Sequence, residues 1–344
     1  FKTFSLNVII LYKEGTTVPS LSSILINNGA NVVFFFVKLK ALPNVKFFLS
    51  LLTTSSTYNF YILTLNNYPL MKRILVPTDF SKHATNALKV AVQIAKEHDA
   101  EIVLLHMLEL PQQTSDAIDR GSDIPEIMIY KRMAVQRIDD LTESELLTGV
   151  KASNIVRFER AFEGILDISK ENNIDLVVMG SHGASGFKEM FIGSNTEKVV
   201  RSSEVPVLVI KNETDHFNTK NMIFASDFTD EVIKPFKKVL KFAEMLDANL
   251  KLVMINTPNS FKTTAVAEKM MSDFAERFEM GHCQKFIYND ANIEKGILNF
   301  AHTVNADLIA ICTHGRTGMA RLLNGSISED LVNRTSIPMV TFKI

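Results

Sequence analysis

The chain has 344 residues, of which 46% are hydrophobic and 22% charged, and its net charge is −1. That length suggests two domains of ordinary soluble globular composition, and the near-neutral balance argues neither for nucleic acid nor for an acidic membrane surface as a partner. The two cysteines, Cys283 and Cys312, form neither a metal spacing nor a disulfide framework, and so few are compatible with a reducing cytoplasm.

Residues 1–70 differ from the rest. They hold no Asp and a single Glu, Glu14, and carry apolar runs such as Val32-Val33-Phe34-Phe35-Phe36. Asn, Ser and Thr dilute these runs below the roughly 18–20 mainly apolar residues of a good membrane helix. No charged head precedes a clean apolar segment, so the stretch is a poor signal peptide. The expectation is that residues 1–70 are a non-domain extension, either translated upstream sequence or an artefact, with a native start at Met71. A membrane-associated extension is the rival reading.

From Met71 onward, strand and helix patterns alternate. Arg73-Ile74-Leu75-Val76-Pro77 is a short apolar run and reads as a buried strand. Ser81 is placed to cap the helix that follows, with Ala84, Leu88, Ala91, Ile94 and Ala95 at helical spacing. A second buried strand covers 102–107, and a long helix is expected over 125–147. A third strand lies near 155–162, a helix near 164–171, and a fourth strand over 175–179. A glycine-rich loop, a helix from Ser194 and a strand over 207–210 complete the unit. After a polar linker, 212–220, the same order recurs: 222–227 matches the first strand, 250–255 the second, 307–312 the fourth and 338–342 the fifth. Each fifth strand is entered through a proline, Pro206 or Pro338, three residues after a hydroxyl residue, Ser203 or Thr335. A whole-domain repeat is more specific than any single motif. The expected domains are 71–211 and 221–344. Continuous apolar strands separated by helices imply mostly parallel sheets covered on both faces.

In such sheets ligands bind beyond the carboxyl ends of strands, where the strand order reverses. Pro77-Thr78-Asp79 stands at the end of strand one. Met179-Gly180-Ser181-His182-Gly183 follows strand four, and its loop closes with Gly193-Ser194 at a helix start. Glycines admit close backbone approach to a ligand, and a helix N-terminus offers unpaired N–H groups to phosphate. A purely structural reading stands beside this one. Ser194-Asn195-Thr196-Glu197 and Ser326-Ile327-Ser328-Glu329 are capping boxes, Gly180 and Gly183 fit ordinary turns, and Asp79 fits a helix cap.

Gly180-x2-Gly183-x9-Gly193-Ser194, with the opening Ile74-Leu75-Val76-Pro77-Thr78-Asp79-Phe80-Ser81, resembles the nucleotide-binding pattern of the universal stress protein family. The resemblance covers Met71 to Ile344 in two copies. It implies two tandem Rossmann-like domains of the adenine nucleotide alpha hydrolase-like type, each a five-stranded parallel sheet in order 3-2-1-4-5 with helices on both faces. It also implies ATP as ligand, with Mg²⁺ or Mn²⁺ held through the phosphates rather than by a protein-built metal cage. Pro77, Thr78 and Asp79 would line adenine and ribose, and Met107 would pack on the adenine. Met179, Gly180, His182 and Gly183 would wrap ribose and phosphates. Gly193, Ser194, Asn195 and Thr196 would hold the phosphates. The resemblance further implies that the fifth strands pair, so that the two repeats form an intramolecular pseudo-dimer; a further homodimer is compatible with the sequence.

The second repeat departs from the pattern. Cys312 stands at the first glycine position and Ala225 at that of Pro77, while Asp227, His314, Gly315, Gly325 and Ser326 are retained. A side chain at 312 is expected to block close backbone approach, so weaker binding or none is expected there. Arg316 and Arg321 could still attract an anion, although exposed arginines are usually solvated.

No G-x-x-x-x-G-K-[ST] loop is present and no base pairs clearly with a nucleophile. No catalytic residue is therefore assigned, and at most weak ATP hydrolysis is expected. His182 reads as a backbone or ribose contact, His106 as a satisfied core residue, and neither cysteine as an activated thiol. The leading function is a nucleotide-binding sensor or regulator in a stress response. The alternatives are a slow ATPase or adenylate-transferring enzyme and a nucleotide-free structural dimer, with Gly180→Val as the control that separates binding from turnover.

Overall fold

In the computed structural model, the described residues are 7–13, 24–28, 31–35, 47–53, 58–65, 71–109, 125–182, 193–214, 216–313, 331 and 335–344. The chain divides into two compact units, Phe1–Leu70 and Met71–Ile344. In the first, β1 (Asn7–Lys13), β5 (Tyr58–Leu65) and β4 (Phe47–Thr53) form an antiparallel sheet in the order β1-β5-β4, and β2 (Ile24–Asn28) pairs with β3 (Asn31–Phe35). Among the described residues, no helix is long and apolar enough to cross a membrane.

The second unit is built on one ten-stranded sheet. Its first half runs β8 (Ala152–Arg157), β7 (Glu101–Met107), β6 (Arg73–Pro77), β9 (Leu176–Gly180), β10 (Val207–Ile210). The second half repeats this as β13 (Gln284–Asn289), β12 (Asn249–Asn256), β11 (Asn221–Ala225), β14 (Leu308–Thr313), β15 (Met339–Lys343). Each half therefore has the order 3-2-1-4-5 that the family resemblance implies, with every pairing inside a half parallel. The halves meet where β10 pairs antiparallel with β15, Leu208 opposite Val340. Those two strands would otherwise present apolar sheet edges.

Alternation along each strand sends side chains to two faces. Ile74, Val76, Ile102 and Leu104 pack with α1 (Lys82–His98), α2 (Pro125–Thr142), α5 (Ile233–Met245) and α6 (Thr264–Glu276). Leu75, Val103 and Leu105 pack with α3 (Ala161–Glu171), α4 (Ser194–Ser202) and α7 (Ile293–Thr303). Both cores run through both repeats.

Local devices recur as well. Asp175 accepts hydrogen bonds from the Lys72 and Arg73 N–H groups, and Asp307 accepts one from Asn221, so in each half the strand-four aspartate ties down the start of strand one. The Ser203 and Thr335 hydroxyls accept from the N–H groups of Val205 and Ile337, which turns the chain into the proline before the fifth strand. Left-handed residues come in matched pairs: Phe80 and Phe228, Asp99 and Asp247, Asn173 and Asn305. Asp and Asn adopt this conformation more readily than most residues.

The long helix expected over 125–147 is shorter. It ends at Thr142, and a 3-10 turn covers Glu145–Leu147. Ser144 stops it, because its backbone is extended (φ −69, ψ 158) and its hydroxyl donates to the Leu141 carbonyl at 2.6 Å.

Candidate functional site

The strand order reverses between β6 and β9. Their ladder covers only Ile74–Leu176 and Leu75–Val177, and beyond it the two strands separate. Pro77, which has no N–H to continue a ladder, stands at the end of β6. The opening is a cavity of about 310 Å³. One wall is Pro77, Thr78 and Asp79, with Leu105 and Met107 of β7 beside them. The opposite wall is Met179, Gly180 and His182, and the mouth is Gly193, Ser194, Asn195 and Thr196 at the start of α4. Every residue of the first repeat expected to touch the ligand therefore lines one cavity except Gly183, which lies outside the described residues. The sequence reading missed Ala84 of α1, Leu105 of β7 and Ala161 and Ile165 of α3, which complete the lining.

The Pro77–Ser81 turn is held from several sides. The Thr78 N–H donates to the Leu105 carbonyl at 2.8 Å, and its hydroxyl accepts from Phe80 N–H at 3.1 Å. An Asp79 carboxylate oxygen accepts from Ser81 N–H at 3.0 Å, while Ser81, not Asp79, caps α1 by accepting from Ala84 N–H. Phe80 has φ 63, and its ring lies against His106 and against the Arg137 guanidinium, 4.2 Å from the ring centroid. His106 is half-buried with Nδ1 2.8 Å from the Thr78 carbonyl oxygen, so it supports the same turn. On the far side, Met107 lies over Gly164 of α3; a Cβ there would fall 2.1 Å from the methionine methyl carbon.

Two structural readings need correction. A Cβ on Gly180 would meet the main-chain carbon and oxygen of His83 at 2.8 Å. This glycine is thus required by the packing of α1 against the end of β9, and Gly180→Val is not a clean binding control. The Ser194 capping box is not formed either. Gly193 occupies the N-cap position without a side-chain hydrogen bond, and the helix begins at Ser194. The N–H groups of Ser194, Asn195 and Thr196 are the first three of the helix and have no intrahelical acceptor. The Thr196 hydroxyl donates to the Gly180 carbonyl at 2.9 Å, which leaves its N–H as the group available to a ligand. His182 is held with Nδ1 2.8 Å from the Ser181 hydroxyl, and its ring lies 5.3 Å from that of His83.

The matching place in the second repeat holds a cavity of about 40 Å³, lined by Ala225, Ser226, Asp227, Met254, Ile255, Ser260, Lys262, Ile293 and Ile297. His314, Gly315, Gly325, Ser326, Arg316 and Arg321 lie outside the described residues. Among the described residues, three features differ from the first repeat at this cavity. The β11–β14 ladder stays closed through Ala225–Ile311, where its counterpart has already opened. Ile293 occupies the position of Ala161. The Asn256 side chain clamps Lys262 through its N–H and its carbonyl, which folds the 257–261 turn beside the cavity. Cys312 is buried, and burial, with a smaller contribution from the Asp227 carboxylate, pushes its thiol well above the usual cysteine range. Burial also raises Cys283. Neither thiol is activated by its surroundings. Among the described residues, no group of three His, Cys, Asp or Glu side chains is placed to hold a metal ion.

Comparison with known proteins agrees with this architecture. The model of the universal stress protein family matches residues 71–211 and 218–343. Universal stress protein YxiE of Bacillus subtilis is 32% identical over 148 residues, covering 41% of this chain and all of the relative. Universal stress protein Slr1230 of Synechocystis is 22% identical over 302 residues, covering 79% of this chain and all of the relative. A solved universal stress protein from Archaeoglobus fulgidus shares the fold with a TM-score of 0.61 at 22% identity, over 80% of this chain and 97% of that one. The chain, with the family pattern matched twice in tandem, belongs to the universal stress protein family.

Proposed function

We propose that the first repeat binds an adenine nucleotide, ATP by its resemblance to the ATP-binding members of the family, and that the protein acts as a sensor or regulator rather than by turnover. The observation that carries this reading is the 310 Å³ cavity at the strand-order reversal, into which an uncapped helix start faces. Its apolar walls, Leu105, Met107 and Ile165, suit a base, and Asp79 suits a ribose hydroxyl. The free N–H groups of Ser194, Asn195 and Thr196 suit phosphate oxygens. A divalent cation would sit on the phosphates. The second repeat is read as a partner domain. Its antiparallel β10–β15 pairing with the first supports an intramolecular pseudo-dimer of domains 71–211 and 221–344.

The test is calorimetric titration of the full chain with ATP, ADP and adenosine, together with mass analysis of nucleotide carried through purification. Binding of ATP at micromolar to low millimolar levels without substantial turnover is expected. No adenine nucleotide bound at millimolar concentration would reject the reading, and turnover at ordinary enzymatic rates would favour the ATPase alternative.

A further inference from the structure

We infer that the second repeat fixes the geometry of the first repeat's cavity through α4, with Thr313 and Lys343 as its positioning residues. This rests on the nucleotide reading above and assigns the second repeat a part in it. The starting point is the far end of α4. A helix leaves its last four carbonyls without intrahelical donors. In α4, Val199 is served by the N–H of Ser203 within the same repeat. Two others are served by the second repeat: the Thr313 hydroxyl donates to the Val200 carbonyl at 3.1 Å, and the Lys343 ammonium donates to that of Ser202 at 3.4 Å. Thr313 and Lys343 are paired neighbours on β14 and β15, so they act from one rigid place. Lys343 also pairs with the Glu204 carboxylate at 2.6 Å, and Lys238 of α5 donates to the Glu204 carbonyl at 2.7 Å.

The near end of the same helix is fastened to the first repeat. Thr196 donates to the Gly180 carbonyl, and the Gly193 N–H donates to that of Ser181 at 2.8 Å. A nine-residue helix spans only about 13 Å, so its axial position is set from both ends. The three N–H groups at the cavity mouth are therefore placed by the second repeat as well as by the first. Thr313 is buried, at 3% exposure, and its hydroxyl meets a carbonyl that water does not reach easily. Removing that hydroxyl leaves the Val200 carbonyl unsatisfied and favours a shift of the helix. By linkage, a nucleotide that holds the start of α4 also tightens the contact between the repeats.

The experiment compares Thr313→Val, Thr313→Ser and Lys343→Met with the wild type in the full chain, titrating each with ATP and with adenosine. Thr313→Val should weaken ATP roughly three- to tenfold, Lys343→Met less, and Thr313→Ser not at all. Adenosine, which has no phosphate for α4, should bind all four proteins alike. Unchanged ATP affinity in Thr313→Val and Lys343→Met overturns the inference, as does an equal loss for adenosine. Hydrogen exchange on the nucleotide-free proteins keeps the inference separable from the binding reading. Thr313→Val should speed exchange of the amides at 197–203 while leaving α1 and α3 unchanged, and Thr313→Ser should match the wild type. If the wild type binds no adenine nucleotide, the proposed function fails, but the exchange data still decide whether the second repeat holds α4. Wild-type exchange rates in Thr313→Val would show that it does not.

Discussion

The two repeats share strand order and turns, yet the first encloses about 310 Å³ at the strand reversal, while in the second the cavity bordered by described residues is about 40 Å³. The difference arises from a few positions. Pro77 ends a strand whose ladder with β9 stops two residues earlier; Ala225 remains paired with Ile311. Ala161 leaves space where Ile293 fills it. The second half is also packed with an aromatic cluster, in which Phe224, Phe228, Phe236, Phe274 and Phe278 meet in edge-on and tilted contacts. A duplicated fold can thus keep its two cores while a few substitutions change the space at the strand ends, even though core residues such as Leu105, Ile165, Ala225 and Ile297 also line that space.

The largest expected effect comes from placing the second repeat's side chain in the first. Ala161→Ile should fill the cavity and weaken ATP at least tenfold, about 1.4 kcal/mol or more; unchanged affinity by calorimetry would show that volume at this position is not what separates the repeats. Gly180→Val should act on folding before binding. Its Cβ meets the His83 backbone, and overpacking of this kind costs about 1–3 kcal/mol. The thermal midpoint of the nucleotide-free protein should fall, with Gly180→Ala intermediate, and a wild-type midpoint would contradict the packing account of this glycine. The reverse exchange, Ala225→Pro with Ile293→Ala, should open the second cavity at a cost of about 1–2 kcal/mol from the half-buried isoleucine. A second, weaker binding event is the expected readout, and a single unchanged site would mean that another feature closes this half.

The smallest effect is electrostatic. The hydrogen bond and charge of Lys343 hold the Glu204 carboxyl below its ordinary value of 4.5. A depressed folded-state value means that the stabilisation is present above about pH 4.5 and is lost as the pH falls through the lowered value. The pair is substantially exposed, so its worth is about 0.5 kcal/mol or less. Unfolding free energies of wild type and Glu204→Gln should differ by this small amount at pH 7 and converge as acid protonates the carboxyl in the folded protein; a difference that grows in acid would reverse the assignment.

Most of the fold was legible because its strands are continuous apolar runs with clear stops. The motif at 77–79, which lines the cavity, was visible at the end of such a run, and the order 3-2-1-4-5 came from the family resemblance. The misreadings have physical reasons. Gly180 lines the cavity as expected, but the sequence does not show that it also lies against the first turn of α1. Ser194 fits a capping box, but a shift of one residue gives the cap to Gly193 and leaves the serine inside the helix. Cys312 is the altered glycine that stands out in the sequence; Ile293 and the uninterrupted β11–β14 ladder, which add to it, do not stand out. Aligning the repeats helix by helix would have exposed the Ala161–Ile293 exchange, since Gly164 and Gly296 mark the same place on α3 and α7. Gly296 admits Ile255 as Gly164 admits Met107. The anchoring of α4 by Thr313 and Lys343 was not legible, because it depends on how β15 lies beside β10.

The central claim is that one adenine nucleotide binds per chain and that it binds in the first repeat. Native mass measurement of the full chain with saturating ATP tests this directly when wild type, Ala161→Ile and Asp227→Ala are compared. The expected result is a single nucleotide added to the wild type and to Asp227→Ala, and none added to Ala161→Ile. Two nucleotides on the wild type, or one that persists in Ala161→Ile and disappears in Asp227→Ala, would contradict it.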